Sequence, residues 1–170
     1  MIAGLLAWSV PTSSQPGSYG VGRAPTEAEL AAWSISVAPD GTGLPPGAGS
    51  VEEGRGVYES RCAGCHGTLG QGGEAGALVG GEGTLASAAP QKTVSSYWPY
   101  ATTLFDYTRR AMPFDFPGTL SADQVYAVVA YVLYLGGIVD EERTLNAATL
   151  PAIEMPNRDG FVADPRPDLP

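Results

Sequence analysis

The chain's scarcest reactive side chains lie next to one another. Two cysteines and one histidine occur among 170 residues, and all three fall in the run Cys62-Ala63-Gly64-Cys65-His66. So small an inventory excludes a disulfide framework, a cysteine/histidine zinc finger and a multi-histidine relay. A thioredoxin-type redox pair would need a strand-to-helix junction within a βαβ unit, and the sequence shows no such unit. The chemistry of the chain is therefore concentrated in this one motif.

The spacing of these residues, C-x-x-C-H, is the signature of covalent attachment of a c-type haem. One helical turn places the thiols of Cys62 and Cys65 where they can add to the two vinyl groups of one porphyrin. The imidazole of His66 then projects onto the iron. The sequence therefore predicts one covalently bound haem c, attached through Cys62 and Cys65 and ligated by His66.

A second axial ligand must come from a short inventory. No second histidine exists and both thiols are consumed, which leaves Met112, Met155, Lys92, Met1 or an open position. We favour Met112, because it ends a predicted helix, precedes a proline, and offers a thioether that suits low-spin haem iron. Met155 also precedes a proline, but it lies beyond the last predicted helix.

Capping signals and apolar spacing predict an all-α fold. Capping boxes begin helices at residues 50–61 and 121–135, the second of which stops at a pair of glycines. A third helix ends before Met112, with a cap among residues 103–106, and a short helix lies near residues 26–33. No stretch alternates in the manner of a half-buried strand.

Glycine and proline divide the chain into four segments. Residues 1–10 are apolar and too short to span a bilayer, so we interpret them as part of an export signal. Residues 11–49 form an extended N-terminal flank, residues 50–138 the compact haem domain, and residues 139–170 an extended, proline-rich tail. We therefore expect an exported, periplasmic protein with no membrane span in this chain.

The charge balance narrows the class of partner. Asp and Glu number 18 against 9 Lys and Arg, which gives a formal net charge of −9. A nucleic-acid partner is excluded, because its phosphates would need a basic face. A basic protein surface is the better partner, whereas the net charge taken by itself indicates only that acidic side chains keep the chain in solution.

Residues 50–138 resemble the class I cytochrome c family. The N-terminal helix, the C-x-x-C-H motif, a glycine-rich loop, the helix before Met112 and the last helix follow the family's order. The resemblance implies three to four helices around one haem, with Gly54, Tyr58 and Tyr131 at a close crossing of the first and last helices. It also implies that Leu78 lies in the loop that covers the haem edge.

At one position the chain departs from that family. The family usually places a proline two residues before this leucine, and the proline carbonyl accepts the Nδ1 hydrogen bond of the ligand histidine. Here the position is Gly76, whose carbonyl can accept the same bond with less rigidity.

A narrower resemblance covers nearly the whole chain. Five segments are similar to the cytochrome subunits of sulfane dehydrogenases in the Sox sulfur-oxidation system, namely residues 24–33, 39–47, 96–107, 109–114 and 155–161. Similar cytochromes accompany sulfite-oxidising molybdoenzymes. The resemblance implies a monohaem electron-transfer subunit, paired with a molybdenum-cofactor dehydrogenase and passing electrons to a downstream acceptor.

Two questions stay open at this point. Trp98, Arg109 and Arg110 are candidate donors to haem propionates, or else ordinary core and surface residues. The protein is expected to be an electron-transfer subunit rather than an enzyme, with a free carrier to a terminal oxidase as the alternative. A catalytic haem is disfavoured, because no distal histidine is available.

Overall fold

The computed structural model describes residues 21–166, and helices dominate this part of the chain. The described elements follow one another as α1 Glu27–Trp33, β1 Ala48–Ser50, α2 Val51–Arg61, α3 Ala63–His66, α4 Val94–Tyr97, α5 Ala101–Ala111, α6 Ala122–Leu135, β2 Thr144–Asn146 and a 3-10 turn Leu150–Ala152. The helical fold predicted from the sequence is thus confirmed, with one short strand pair added. None of the helices within residues 21–166 is long and apolar enough to cross a membrane.

The chain divides into two compact units. The first comprises Met1–Trp33 and the second Ser34–Pro170. Helix α1 belongs to the first unit and confirms the short helix predicted near residues 26–33. The predicted export signal at residues 1–10 lies outside the described residues.

Local capping explains where the two long core helices begin. The Ser50 hydroxyl accepts from the Glu53 N–H while the Glu53 carboxylate accepts from the Ser50 N–H, and Ser121 and Gln124 make the same reciprocal pair. Both capping boxes are therefore confirmed. Helix α5 differs from its prediction, because it begins at Ala101 after Tyr100, which makes no side-chain cap.

Helices α2 and α6 cross at a glycine. A Cβ atom added to Gly54 would collide with the carbonyl group of Ala127 and lie 2.9 Å from the Cβ of Tyr131. One turn further along α2, the Tyr58 ring packs on the Tyr131 ring with 5.3 Å between centroids, and its hydroxyl donates to the Gly67 carbonyl at 2.8 Å. Burial raises the pKa of Tyr58 to about 12, so this donor keeps its proton.

The chain on both sides of residues 50–138 packs against the helices. Strands β1 and β2 pair antiparallel, with Gly49 opposite Leu145. Beyond β2, the side chains of Leu150, Ile153 and Met155 are buried in the same core as α6. The structure therefore differs from the extended tail expected after residue 138, because four apolar side chains between positions 145 and 155 leave water by folding back.

The crossing yields a stability prediction. We expect Gly54→Ala to lower the free energy of unfolding by about 3 kcal/mol, because the new methyl group meets backbone atoms that cannot rotate away. Denaturant titration of the holoprotein measures this change. Gly56→Ala, two residues along the same helix with open space around its Cβ, is the matched control and should raise the free energy by up to about 1 kcal/mol. Equal effects of the two substitutions would contradict the close crossing.

Candidate functional site

The C-x-x-C-H motif forms a helical turn of its own at the end of α2. The Cys62 N–H donates to the Tyr58 carbonyl at 2.8 Å, and the His66 N–H donates to the Cys62 carbonyl at 2.9 Å. No disulfide joins Cys62 and Cys65, so both sulfur atoms are available for thioether bonds. Burial raises the pKa of the Cys62 thiol to about 11, because the side chain is withdrawn from water.

The imidazole of His66 is oriented by the loop that follows it. Its Nδ1 lies 2.8 Å from the carbonyl oxygen of Gly76. A carbonyl only accepts, so Nδ1 carries the proton and Nε2 keeps its lone pair for a metal. The same loop returns to the motif through the backbone, where the Ala75 N–H donates to the Cys65 carbonyl at 3.0 Å and the Gly72 N–H to the His66 carbonyl at 2.8 Å. The departure at Gly76 therefore preserves the hydrogen bond expected there.

A cavity of about 600 Å³ lies beside this motif. Its walls are mainly apolar, and α6 supplies Val128, Val129 and Val132 to one side. The sequence-predicted residues that line it are Cys62, Cys65, His66, Leu78, Trp98 and Met112. A cavity of this size and polarity is typical of a site for a cofactor.

The candidate axial ligands are separated by their positions. Met112 is the C-cap of α5, donates its N–H to the Thr108 carbonyl at 3.1 Å, and lines the cavity. Met155 is 3% exposed and belongs to the core, outside the cavity lining. The ammonium group of Lys92 lies over the ring of Tyr97, 5.1 Å from its centroid. Met1 lies outside the described residues.

The structure does not bring the two candidate arginines to the cavity. Arg109 donates to the carbonyl of Ile35 at 3.3 Å, and Arg110 pairs with the carboxylate of Asp106. Neither lines the cavity, because both project from other sides of α5. Trp98 does line it, with its ring edge-on to Tyr107 at 5.8 Å between centroids.

The cavity also contains residues that sequence reasoning missed. Arg61, which directly precedes the motif, lines the cavity, and so do Leu104 and Tyr107 of α5. Although Tyr107 lines the cavity, its side chain is 46% exposed. Phe114 also lies in the lining and is 87% exposed. Adjacency to the motif was the one signal that could have identified Arg61.

Comparison with known proteins agrees with this geometry. Residues 51–136 match the family model for cytochrome c. The chain is 41% identical to a chain in the crystal structure of the sulfane dehydrogenase SoxCD from Paracoccus pantotrophus, with a TM-score of 0.84. The match covers 88% of this chain and 74% of that one. A comparison with curated proteins gave no significant match. The chain belongs to the cytochrome c family, whose members bind haem c covalently.

Proposed function

We propose that this protein is the monohaem electron-transfer subunit of a periplasmic molybdenum sulfane or sulfite dehydrogenase. It takes single electrons from the dehydrogenase and passes them to a downstream acceptor. The observation that supports this function best is that one cavity is lined by Cys62, Cys65, His66 and Met112, although Met112 is far from the others in sequence.

The donor set fits a haem c. Cys62 and Cys65 would hold the ring by thioether bonds, His66 would ligate the iron through Nε2, and Met112 would supply the second axial ligand. When bound, the haem supplies a one-electron couple, and a thioether ligand raises its potential. Together these four residues would hold the haem and keep water from it, which suits electron transfer rather than substrate chemistry at the iron.

The apolar side chains of the cavity have a second role. Leu78 and the valines of α6 keep water from the ring, and the indole of Trp98 can donate its N–H to a propionate. Leu78 is also tied in place, since its N–H donates to the Gly70 carbonyl at 2.8 Å and its carbonyl accepts from the Val94 N–H at 2.9 Å. A dry, fixed surrounding keeps the reorganisation on electron transfer small.

The proposed partner rests on similarity and charge. The 41% identity to a chain of SoxCD extends over most of both chains, beyond the haem domain alone. The net charge of −9 favours a partner with a basic docking surface and speeds its encounter at low ionic strength. The same resemblance supports the proposal that the protein is exported to the periplasm.

The ligand assignment predicts a spectrum. The near-infrared charge-transfer band of ferric, methionine-ligated haem should be present in the wild type and absent in Met112→Ala. The midpoint potential should fall in the same variant, because the thioether that stabilises the ferrous iron is lost. Optical spectroscopy and redox titration of the purified holoprotein measure both.

Met155→Ala is the matched control for that prediction. It removes the same side chain from the core rather than from the cavity, so it should lower thermal stability while leaving the band in place. Loss of the band in Met155→Ala would contradict the assignment to Met112. A high-spin ferric spectrum in the wild type would instead support a catalytic haem.

The exposed apolar side chains of α1 lead us to predict that this helix contacts a partner. Trp33 and Leu30 on α1, which belongs to the first unit, are 88% and 51% exposed. We expect deletion of residues 21–33, which leaves the predicted export signal at residues 1–10 in place, to weaken binding to the dehydrogenase at least about tenfold, since an exposed tryptophan is a common binding hot spot. Co-purification and titration of the full-length and truncated holoproteins measure the loss.

Two point variants sharpen this test. Trp33→Ala in the full chain should reproduce part of the loss, whereas Leu69→Ala, which removes an equally apolar side chain that is 64% exposed in the second unit, should bind as the wild type does. Unchanged binding by the truncated protein would contradict a contact through the first unit. If neither form binds the dehydrogenase, the protein is a free carrier.

A further inference from the structure

A short segment of the N-terminal flank, residues 35–39, lies along one side of α5, and we call it the strap. Three side chains of α5 bind its backbone. The Thr102 hydroxyl donates to the Pro39 carbonyl at 3.0 Å, the Asp106 carboxylate accepts from the Val37 N–H at 2.8 Å, and Arg109 donates to the Ile35 carbonyl at 3.3 Å. The strap therefore runs antiparallel to the helix.

The spacing of these contacts has a simple geometric basis. Positions 102, 106 and 109 are four and three residues apart, so they lie on one face of a helix. Four helical residues advance about 6 Å, and two residues of chain span at most about 7 Å. Every second residue of the strap can thus meet the next side chain of the same helical face.

The three contacts differ in their exposure to water. The hydrogen bond between Val37 and Asp106 is buried, whereas those of Thr102 with Pro39 and of Arg109 with Ile35 are partly buried. The second carboxylate oxygen of Asp106 is bound by Arg110. A tight turn closes the strap, since the Ala38 N–H donates to the Thr42 carbonyl at 2.9 Å. Directly after this turn, Gly43 has a φ of +92° and lies against the carbonyl of Ser36 in the strap. The strap is therefore held in place both by its hydrogen bonds to α5 and by the turn that follows it.

The strap and the cavity lie on opposite sides of α5. At about 100° per residue, Leu104, Tyr107 and Thr108 point about half a turn away from the strap face, and these three side chains line the cavity. Met112, at the C-cap of the same helix, also lines it. Any shift of α5 away from the cavity must displace the strap.

We propose that the strap positions Met112 by holding α5 from behind, with Thr102 and Asp106 as the positioning residues. This inference rests on the proposed role of Met112 as an axial ligand. Loosening the strap then weakens the bond of the methionine sulfur to the iron, without changing any residue of the cavity.

The experiment measures how fast cyanide replaces the methionine in the ferric, full-length holoprotein. Thr102→Val removes one contact from the helix side, and Gly43→Ala disturbs the strap from its own side because the new methyl group collides with the Ser36 carbonyl. Each is expected to raise the cyanide-binding rate by about tenfold, which is the change that corresponds to the free energy of one hydrogen bond. Each is also expected to lower the midpoint potential.

Matched controls separate positioning from general loss of stability. Thr103→Val makes the same change at the neighbouring position, where the hydroxyl forms no hydrogen bond among the described residues. Gly83→Ala adds a methyl group at a comparable φ of +73° with open space around it. Met155→Ala destabilises the core outside the cavity lining. All three should keep the wild-type rate and potential.

Each outcome decides one question. If Thr102→Val and Gly43→Ala lower the melting temperature but leave the cyanide rate and potential unchanged, the strap is only structural and the proposal is overturned. Equal acceleration in Met155→Ala overturns it as well. Met112→Ala, measured in the same series, tests the ligand itself, so an error in the ligand assignment is told apart from an error in the strap.

Discussion

The core of the molecule depends on a close backbone contact between two helices, which Gly54 of α2 makes with Ala127 of α6. With no Cβ at Gly54, the two helices approach closely enough for Tyr58 to pack on Tyr131. Helix α2 ends at Arg61, immediately before the first cysteine of the motif, and α6 supplies three valines to the cavity wall. The position of the attachment motif relative to that wall thus depends on one glycine.

The two candidate ligands are held in different ways. His66 is oriented by Gly76, only ten residues away, through a loop that also binds the motif by its backbone. Met112 depends on α5, and α5 is bound by a flank 63 to 74 residues away in sequence. Contacts between residues close in sequence orient His66, whereas the position of Met112 depends on contacts between residues that only the folded protein brings together.

The same distinction explains what could be predicted from the sequence. The capping boxes at Ser50 and Ser121 are local, so helix starts were predictable, and the three scarce residues at positions 62–66 predicted the haem. Met112 and Met155 both precede prolines, and only the tertiary fold places one in the cavity and the other in the core. Arg109 donates to a carbonyl of the strap that is 74 residues away, and the periodicity of apolar residues in the sequence cannot predict a partner at that distance.

The strap also gives the N-terminal flank a physical role that its composition conceals. Its three hydrogen bonds with α5 use two backbone carbonyls and one N–H, so the polar side chains that make them belong to the helix, while the strap adds the buried side chain of Val37. A segment that binds through its backbone needs the right turn more than the right side chains, which suits a flank rich in glycine and proline. If the strap sets the strength of the methionine bond, changes in this flank adjust the potential of the haem while the C-x-x-C-H motif stays the same.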